Sequence, residues 1–320
     1  MGKIVYDKLL LLMEQRGLTT YRIRKEKIIS ESTLQNIRVG KRITTDAIAS
    51  LCAALNCQPG DIIEYAEENR MNVYEKIEKA HTALSALRPF EGSMLEQLKD
   101  YFKIGLTWSS NALEGNTLTI NEAKLLLEEG LTVGGKPLRD TLEAVGHGEA
   151  YDFMFTLIGN ELIGMDDMKG LHRLFYRGID EANAGVWREH SVIVTGTNYV
   201  FPAPQEIEPQ MQELCHWISA ERSKMHPVKF AAMLHLKLVT VHPFTDGNGR
   251  TARLLMNLAL IQKGYQLVII PPICRVEYND LIRVYQNKGN AEPFCSFIAE
   301  RVYETQKEIM CLFHINTNHL

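Results

Sequence analysis

The chain has 320 residues, which is enough for two domains, and its 45% hydrophobic and 23% charged residues are typical of a globular protein with a buried core. The net charge of −4 hides an asymmetry, because residues 1–44 carry ten Lys/Arg against four acids, a balance of +6 that leaves −10 for the remainder. A basic head on an acidic body predicts two different tasks.

Cysteine usage and hydropathy exclude several classes of protein. The six cysteines are scattered and contain no C-x-x-C pair, which argues against a disulfide framework or a zinc site and predicts a reducing, cytoplasmic setting. The apolar run near the N-terminus is five residues long and flanked by charges, too short for a signal segment or a membrane span. We therefore expect no membrane partner.

The basic head, residues 1–68, is predicted to form four or five short helices. The segment YDKLLLLMEQRG ends at Gly17, and TTYRIRKEK follows it. The third helix, SESTLQNIRVG, begins after Ser30 as N-cap and ends at Gly40, and TTDAIASLCAALN is a last amphipathic stretch. These signals predict a small independent bundle.

The third helix carries side chains suited to nucleic acid. Gln, Asn and Arg can make bidentate contacts to base edges, while Lys and Arg neutralise phosphate. The candidate contacts are Ser32, Thr33, Gln35, Asn36, Arg38, Lys41 and Arg42. An alternative is a dimerisation or docking module, since many small helical bundles have one basic face.

The stretch GLTTYRIRKEKIISESTLQNIRVGK, followed by LCAALNCQPGDIIEY, resembles the Cro-type helix-turn-helix family. The resemblance implies DNA binding, and it is compatible with a homodimer because such modules often occupy two half-sites. Family members usually carry a small residue or Gly near the position of Lys27-Ile28 in this chain.

The body, residues 93–315, is predicted to be mainly α-helical, after a linker helix and loop over 69–92. A helix over about 95–115 stops at Gly115-Asn116, and TLTINEAKLLLEEG follows with a capping box between Thr119 and Glu122. Further helices are predicted at about 137–159, 166–178, 205–223, 227–241, 250–263, 276–288 and 292–313. The alternation in HSVIVTGTNYVFP predicts one hairpin.

The segment VHPFTDGNGRTARLLMN, residues 241–257, places polar side chains between two apolar helices. Gly247, Asn248 and Gly249 allow consecutive amide N–H groups to converge at the start of the next helix, where the dipole favours an anion. Arg250 and Arg253, three residues apart in the first turn, suit a polyphosphate.

Two further side chains flank this anion site. Asp246 would repel phosphate unless a divalent cation intervened, so Mg²⁺ is implied. His242, at the end of the preceding helix, is a titratable base beside phosphate. The plainer alternatives are that Asp246 caps a helix, that the arginines pair with structural acids and that His242 is a core residue. His235, on the same helix, is predicted to be a core histidine.

HPFTDGNGRTAR matches the signature H-x-F-x-[D/E]-G-N-G-R-x-x-R of the Fic family at all of its fixed positions. The resemblance extends over about residues 95–305, with GVWREHSVIVTGTNYVFPAP as the flap and GNAEPFCSFIAERV as the closing helix. It implies a Fic-type helical bundle with a β-hairpin flap. It also implies transfer of AMP from ATP to a Tyr, Thr or Ser hydroxyl of a protein, this chain itself included.

The same resemblance assigns roles along the motif. His242 takes the hydroxyl proton, and Asp246 holds Mg²⁺ against the phosphates. The backbone of Gly247, Asn248 and Gly249 cradles the phosphates, while Arg250 and Arg253 neutralise their charge. Phe244 is a buried anchor. Asn287, with Tyr278, falls where the family lines its adenine pocket.

SSNALEGN places Ser110 and Glu114 at the spacing of the family's inhibitory motif, [S/T]-x-x-x-E-[G/N]. The resemblance implies that Glu114 pairs with Arg253 and occupies the space of the γ-phosphate, so that ATP binds unproductively. In some relatives the same Glu supports removal of AMP, which makes Glu114 a candidate to position water for the reverse, hydrolytic reaction.

Two classes of function follow from these patterns. The leading hypothesis is a self-inhibited protein adenylyltransferase with a DNA-binding module, and a variant of it transfers another nucleotide-derived group or acts like a kinase. Kinase-like relatives carry Lys in place of Gly249, a change absent here. The other class is a DNA-binding transcriptional regulator whose core only senses nucleotide. An intact His242 argues against pure sensing, which needs no base.

Overall fold

The computed structural model describes residues 3–66, 72–86, 93–132, 134–160, 162–194 and 196–314. The chain divides into two compact units, Met1–Met71 and Asn72–Leu320. The domain boundary expected from the sequence falls mainly on residues 67–71, and the end of the expected linker on 87–92, which lie outside the described residues. Within the described ranges, no helix combines the length and apolarity that a bilayer crossing requires.

The first unit is a helical bundle with a small sheet. Its helices are α1 Asp7–Gln15, α2 Thr20–Lys25, α3 Glu31–Arg38, α4 Thr45–Leu55 and α5 Pro59–Ile62. Strands β1 Lys3–Val5 and β2 Glu64–Ala66 pair in antiparallel fashion, with Lys3 opposite Ala66. No local pattern in the sequence predicts this sheet, because each strand is three residues long and its partner lies at the other end of the unit. The apolar faces of the helices meet in a core that includes Leu9, Ile23, Leu34, Leu51 and Leu55.

Local hydrogen bonds explain where these helices begin. The hydroxyls of Thr19, Ser30 and Thr44 accept backbone N–H bonds three residues ahead, at 3.1 to 3.2 Å. Each bond satisfies one of the free donors of a helix N-terminus. Between α2 and α3, Lys27 adopts a left-handed backbone with φ of 53°. Glycine adopts that conformation without steric cost, which explains the small residue usual in the family at this turn.

The second unit is almost entirely helical. Its helices are α6 Val73–Ser85, α7 Ser93–Ala112, α8 Ile120–Glu129, α9 Leu138–Thr156, α10 Met165–Tyr176, α11 Pro204–Glu221, α12 Pro227–Val241, α13 Asn248–Ile261, α14 Arg275–Lys288 and α15 Glu292–Leu312. The predicted bounds from α9 onward agree within three residues. Helices α12 and α13 form the centre, and nearly every side chain of α13 is buried. The mainly α fold class is therefore confirmed.

Helix α6 differs from the linker that the sequence suggested. Its Ile77, Ala80 and Leu84 are fully buried in the core of the second unit. These positions repeat at intervals of three and four residues, so they form one apolar face of the helix. Helix α6 is therefore a structural part of the second unit.

The segment between α10 and α11 that was predicted as a hairpin, which we name the extended segment, has no strand pairing among its described residues, 186–194 and 196–203. Ile193 and Val200 are 98% and 86% exposed. Side chains so exposed have no surface to bury against, which explains why alternation alone does not produce a ladder here.

Candidate active site

The signature segment, residues 242–253, contains the loop that connects the two central helices, α12 and α13. Helix α12 ends at Val241, and His242 caps it with a left-handed φ of 52°. Gly247 caps the start of α13 with φ of 75°, and a Cβ added to it would lie 2.7 Å from Phe175 Cε1. Only glycine meets both demands at this position. The sharp turn directs the free N–H groups of α13 toward the end of α12.

Hydrogen bonds and ring stacking hold the loop between α12 and α13 in place. The Asn248 amide brackets Phe244, accepting from its N–H at 2.9 Å and donating to its carbonyl at 2.8 Å. Phe244 is fully buried and stacks on His172, with ring centroids 3.7 Å apart. His172 Nδ1 accepts from the N–H of Gly185, so Nε2 carries the proton that it donates to the Asp246 carbonyl at 3.0 Å. The Asn248 side chain therefore holds the loop in its conformation. The backbone N–H of Asn248 remains available to a ligand.

His242 is a partly buried, neutral histidine. Burial lowers its pKa to about 4, and the nearby Arg188 guanidinium acts in the same direction. Nδ1 lies 3.4 Å from the Val239 carbonyl oxygen, which can only accept a hydrogen bond. Nδ1 therefore carries the proton, and Nε2 is the basic nitrogen. At neutral pH the ring is in the form that can take a proton from a substrate.

Asp246 is held by three donors. Its Oδ2 accepts from Arg139 Nη2 at 2.6 Å, and its Oδ1 accepts from the Gly247 N–H at 2.6 Å and from Arg250 Nη2 at 3.3 Å. Burial would raise the pKa of Asp246, but Arg250, the Gly247 amide and Arg139 together hold it below its ordinary value. The carboxylate is therefore ionised. Nothing in the sequence pointed to Arg139, because it lies 107 residues away.

Arg250 fits the plainer of the two alternatives that the sequence left open. Its side chain is 3% exposed, and Nη1 lies 3.0 Å from Glu143 Oε1. Its guanidinium sits over the Phe175 ring at 4.3 Å. Arg250 is thus paired with acids behind the loop, and its contact with phosphate stays a prediction.

Arg253 is fully engaged by protein groups. Its Nε donates to Ser110 Oγ at 2.9 Å, and Nη2 donates to the Ser110 carbonyl at 2.8 Å and to Glu114 Oε1 at 2.7 Å. Nη1 donates to Tyr278 Oη at 3.0 Å. Partial burial would raise the pKa of Glu114, but the Arg253 and Arg250 guanidiniums hold it below its ordinary value. Ser110 and Glu114, predicted as an inhibitory pair, thus both bind Arg253.

The Glu114 carboxylate also lies directly over the backbone of Gly249. A Cβ built on Gly249 would overlap Glu114 Oε1, and it would lie 3.0 Å from Arg253 Nη1. Glycine at this position therefore permits the close approach of Glu114 to the start of α13.

A second chain of hydrogen bonds continues from Arg253 into the core. Tyr278 accepts from Arg253, so its own proton points to His235 Nε2, 2.7 Å away. Burial, reinforced by the Arg253 charge, lowers the pKa of His235 well below its ordinary value. His235 is thus the buried core histidine that was expected, and it is also the last acceptor in a network that orients Arg253.

A cavity of about 310 Å³ opens beside these groups. His242, Glu114 and Gly249 line one end of it, and Phe201 and Thr197 approach from the extended segment. Helix α14 supplies the wall with Arg275, Tyr278, Asn279, Ile282, Arg283 and Gln286. The volume falls within the range of about 300–1,000 Å³ that small-molecule sites occupy.

The assignment of Asn287 to an adenine pocket stays a prediction. Asn287 is exposed and does not line this cavity, whereas Gln286 does. Tyr278, Ile282 and Gln286 recur every four residues, so they share one helical face. Asn287 is rotated by about 100° from that face.

Arg188 is a buried cation that the sequence analysis did not single out. Its side chain donates to the carbonyls of His242, His190 and Pro202 at 2.7 to 2.8 Å, and it is 2% exposed. Its N–H donates to the Pro243 carbonyl at 2.9 Å. One side chain therefore joins both ends of the extended segment to the end of α12.

The described residues contain no cluster of three His, Cys, Asp or Glu side chains that could hold a metal ion by itself. Asp246, an ionised carboxylate next to the free N–H groups of α13, nevertheless fits a cation that arrives with phosphate oxygens. Mg²⁺ is commonly bound by one or two carboxylates together with substrate phosphates.

In the first unit, helix α3 separates apolar from polar side chains. Leu34 and Ile37 face the core, whereas the predicted DNA contacts Ser32, Gln35, Arg38, Lys41 and Arg42 are exposed. Thr33 and Asn36 are partly buried, and Thr33 bonds to the cap residue Ser30. Arg38 donates to Thr20 Oγ1 at 3.1 Å, which links α3 to α2.

Comparison with known proteins agrees with this arrangement. Residues 163–260 match the model of the Fic/DOC family, and residues 8–68 match that of the Cro/C1-type HTH DNA-binding domain. The protein adenylyltransferase Fic of Culex quinquefasciatus is 34% identical over 261 residues, which cover 81% of this chain and 51% of that protein. The chain thus spans about half the length of the curated relatives that it matches.

Two solved structures share the fold. A Fic domain containing signaling protein from Bacteroides thetaiotaomicron has a TM-score of 0.68 and 25% identity over 76% of this chain and 100% of that one. Fic-1 (residues 134–508) from C. elegans has a TM-score of 0.66 and 30% identity, and the match covers 75% of this chain and 70% of that chain. With this similarity, and with the complete signature on the loop between α12 and α13, the chain belongs to the Fic/DOC family.

Proposed function

We propose that this protein is a self-inhibited adenylyltransferase, which transfers AMP from ATP to a Tyr, Thr or Ser hydroxyl of a protein. The observation that carries the proposal is the juxtaposition of a neutral His242 with the N-terminus of α13, beside a cavity of about 310 Å³. A base, an anion cradle and a nucleotide-sized space are the three parts that such a transfer needs.

His242 and the start of α13 divide the chemistry between them. The target hydroxyl oxygen attacks the α-phosphorus of ATP while His242 Nε2 takes its proton. The bond from the α-phosphorus to the bridging oxygen then breaks, and pyrophosphate leaves. The N–H groups at Asn248 and Gly249 stabilise the charge on the phosphate oxygens, since they are fixed before the reaction begins.

Asp246 is the residue that would hold Mg²⁺. When bound, the ion neutralises phosphate charge and keeps the phosphate groups in place. Arg139 donates to the same carboxylate at Asp246 Oδ2. Arg139 therefore compensates the Asp246 charge while no nucleotide is present.

Inhibition follows from the contacts of Arg253. Its three nitrogens are bonded to Ser110, Glu114 and Tyr278, so none is free for a γ-phosphate. Glu114 also covers Gly249 at the start of the cradle. ATP that enters this site meets a carboxylate where its γ-phosphate belongs, and like charges repel. The same carboxylate could orient a water molecule for removal of AMP, which makes de-adenylylation the second reaction of this site.

The test compares the parent chain with Glu114→Gly, in the presence of Mg²⁺ and ATP labelled on the α-phosphate. Glu114→Gly frees Arg253, and we expect AMP transfer to rise on the order of 100-fold, the scale of one transition-state donor. Intact mass then gains one AMP per modified hydroxyl. Glu129→Gly removes an exposed acid at the end of α8 and serves as the matched control, with no expected change.

His242→Ala in the Glu114→Gly background separates chemistry from binding. The double variant should lose transfer while it still binds ATP, because the cradle at the start of α13 remains. Loss of ATP binding in this variant would assign His242 a structural role. Equal transfer by the parent and Glu114→Gly would remove Glu114 from inhibition.

The first unit adds a second role, which we propose to be DNA binding through the exposed face of α3, with two copies of the chain on two half-sites. The rival function is a transcriptional regulator whose second unit only senses nucleotide. The two differ in one measurement: a regulator of that kind changes its DNA affinity with ATP equally in the parent and in His242→Ala.

A further inference from the structure

A second cavity of about 450 Å³ shares no lining residue with the one beside His242. Ile104 and Trp108 of α7, Ile120 of α8 and Ile269 with Pro271 make its walls apolar. Tyr101, Ile104, Gly105 and Trp108 recur at intervals of three and four residues, so one face of α7 forms its floor. The volume and the apolar walls are those of a small-molecule site.

Charges at this cavity are unequally paired. Glu308 accepts a hydrogen bond from the Tyr101 hydroxyl, and Glu304 lies 2.8 Å from Lys307. Lys124, the other cation that lines the cavity, lies 3.8 Å from Glu128. Arg301 has no acidic partner among the described residues, and its Nε atom is buried without a hydrogen-bond acceptor there. A buried guanidinium N–H without an acceptor is costly, so the cavity has an unmet requirement for an anion.

We infer that this cavity binds a small amphipathic carboxylate. Its apolar part lies against Ile104, Trp108 and Ile269, and its carboxylate accepts from Arg301. The planar guanidinium matches a carboxylate with two parallel hydrogen bonds, a geometry that a single amine does not offer. The apolar walls then gain from excluding water, which selects against small inorganic anions.

The floor of this cavity is the helix that leads to the inhibitory residues. Ser110, on the other side of α7, bonds to Arg253, and Glu114 follows the helix directly. A ligand that packs against Ile104 and Trp108 therefore contacts the element that positions both groups. Any effect of such a ligand on AMP transfer rests on the proposed function, whereas its binding does not.

Calorimetric titration of the full chain with decanoate, decanol and decylammonium tests the site. The three probes share one tail and differ in charge. Decanoate should bind once per chain, on the order of tenfold more tightly than decanol, because only decanoate forms charge-assisted hydrogen bonds. In Arg301→Met that advantage should vanish, while Arg177→Met, the same change at an exposed surface arginine, should preserve it.

Two more measurements locate the binding without relying on the Arg301 variant. Ile120→Glu adds a negative charge at the rim of the cavity, at the first position of α8 where acids are favourable, and should weaken decanoate at least about tenfold. ATP should not displace decanoate. The inference fails if decylammonium binds as tightly as decanoate, if Ile120→Glu leaves the affinity unchanged, if ATP competes, or if no decanoate binds below about 1 mM.

Discussion

The two units of the chain differ in whether the side chains predicted to be functional are already bonded to other protein groups. In the first unit, Gln35, Lys41 and Arg42 are exposed and have no side-chain partner among the described residues. In the second unit, Asp246 accepts hydrogen bonds from three protein donors, and all three nitrogens of buried Arg253 donate to protein groups. A surface of the first kind can bind as it is folded. A site of the second kind can bind a ligand through these groups only by giving up internal contacts.

The largest effect that we expect is a loss of stability of the second unit in acid, greater than that of the first unit. Burial lowers the pKa of His147 to about 3 and that of His235 well below 6.5. Below pH 6.5 the unfolded chain therefore binds more protons than the folded one. The free energy of unfolding is at its full value above pH 6.5 and falls by about 1.4 kcal/mol per pH unit for each histidine.

Urea unfolding followed by tryptophan fluorescence measures this effect, because Trp108, Trp187 and Trp217 all lie in the second unit. His147→Asn removes one of the buried histidines with a lowered pKa and should reduce the slope by about 1.4 kcal/mol per pH unit. Residues 1–71 contain no histidine. We therefore expect the histidine-linked loss of unfolding free energy to be confined to the second unit. A stability that does not change between about pH 7 and pH 5 would contradict it.

Arg188→Met removes a set of buried hydrogen bonds in the second unit by changing one residue. The change leaves the carbonyls of His242, His190 and Pro202 without their donor, and we expect a loss of about 3 kcal/mol in the free energy of unfolding. It should also raise the KM for a protein target, since the extended segment is no longer joined to α12. Arg177→Met, which breaks an exposed pair with Glu149, should cost less than about 1 kcal/mol. Equal costs for the two variants would refute the assignment.

The first unit can be tested through the salt dependence of DNA binding. Lys41→Ala and Arg42→Ala each remove one exposed cation, and each should lower the slope of log K against log salt by about one. Fluorescence anisotropy of a labelled duplex at several salt concentrations measures the slope. Lys8→Ala, in α1 and 3.4 Å from Glu64, serves as the control and should leave the slope unchanged. Unchanged slopes in all three variants would favour the docking-module alternative.

The smallest expected effect concerns the turn before α3. Lys27 has φ of 53°, so Lys27→Gly should raise the free energy of unfolding of the first unit by about 1 kcal/mol. Lys25→Gly, two residues earlier and inside α2, should lower it by a similar amount. Native-state hydrogen exchange of amides in residues 3–66 reports both. The same sign for both substitutions would show that the turn carries no strain.

Local signals in the sequence predicted most of the helices. The capping box between Thr119 and Glu122 is present in both directions, and Gly130 ends α8 with φ of 66°. Such signals act within a few residues, so they can be read from a single chain. The turn from His242 to Gly247 could be predicted for the same reason, because its geometry depends on a few adjacent residues between two helices.

Long-range partners were not predictable in this way. Arg139 reaches Asp246 across 107 positions, and Tyr278 reaches His235 across 43. No local pattern distinguishes these side chains from other charged or aromatic residues on helices. The lining of the cavity by Gln286 was not predicted for a related reason, since a motif counts positions along the chain whereas a cavity wall follows the helical period.

Because Gly249 has no side chain, the substitutions that position 249 tolerates depend on the residue at position 114, which is distant in the sequence. A Cβ there would occupy the place of Glu114 Oε1, which is the mobile end of a flexible side chain. Any substitution at 249 therefore pushes the carboxylate away from Arg253, and its consequences depend on which residue stands at 114. In a library that varies both positions, the effects should be non-additive, and side chains at 249 should be tolerated best where 114 is small.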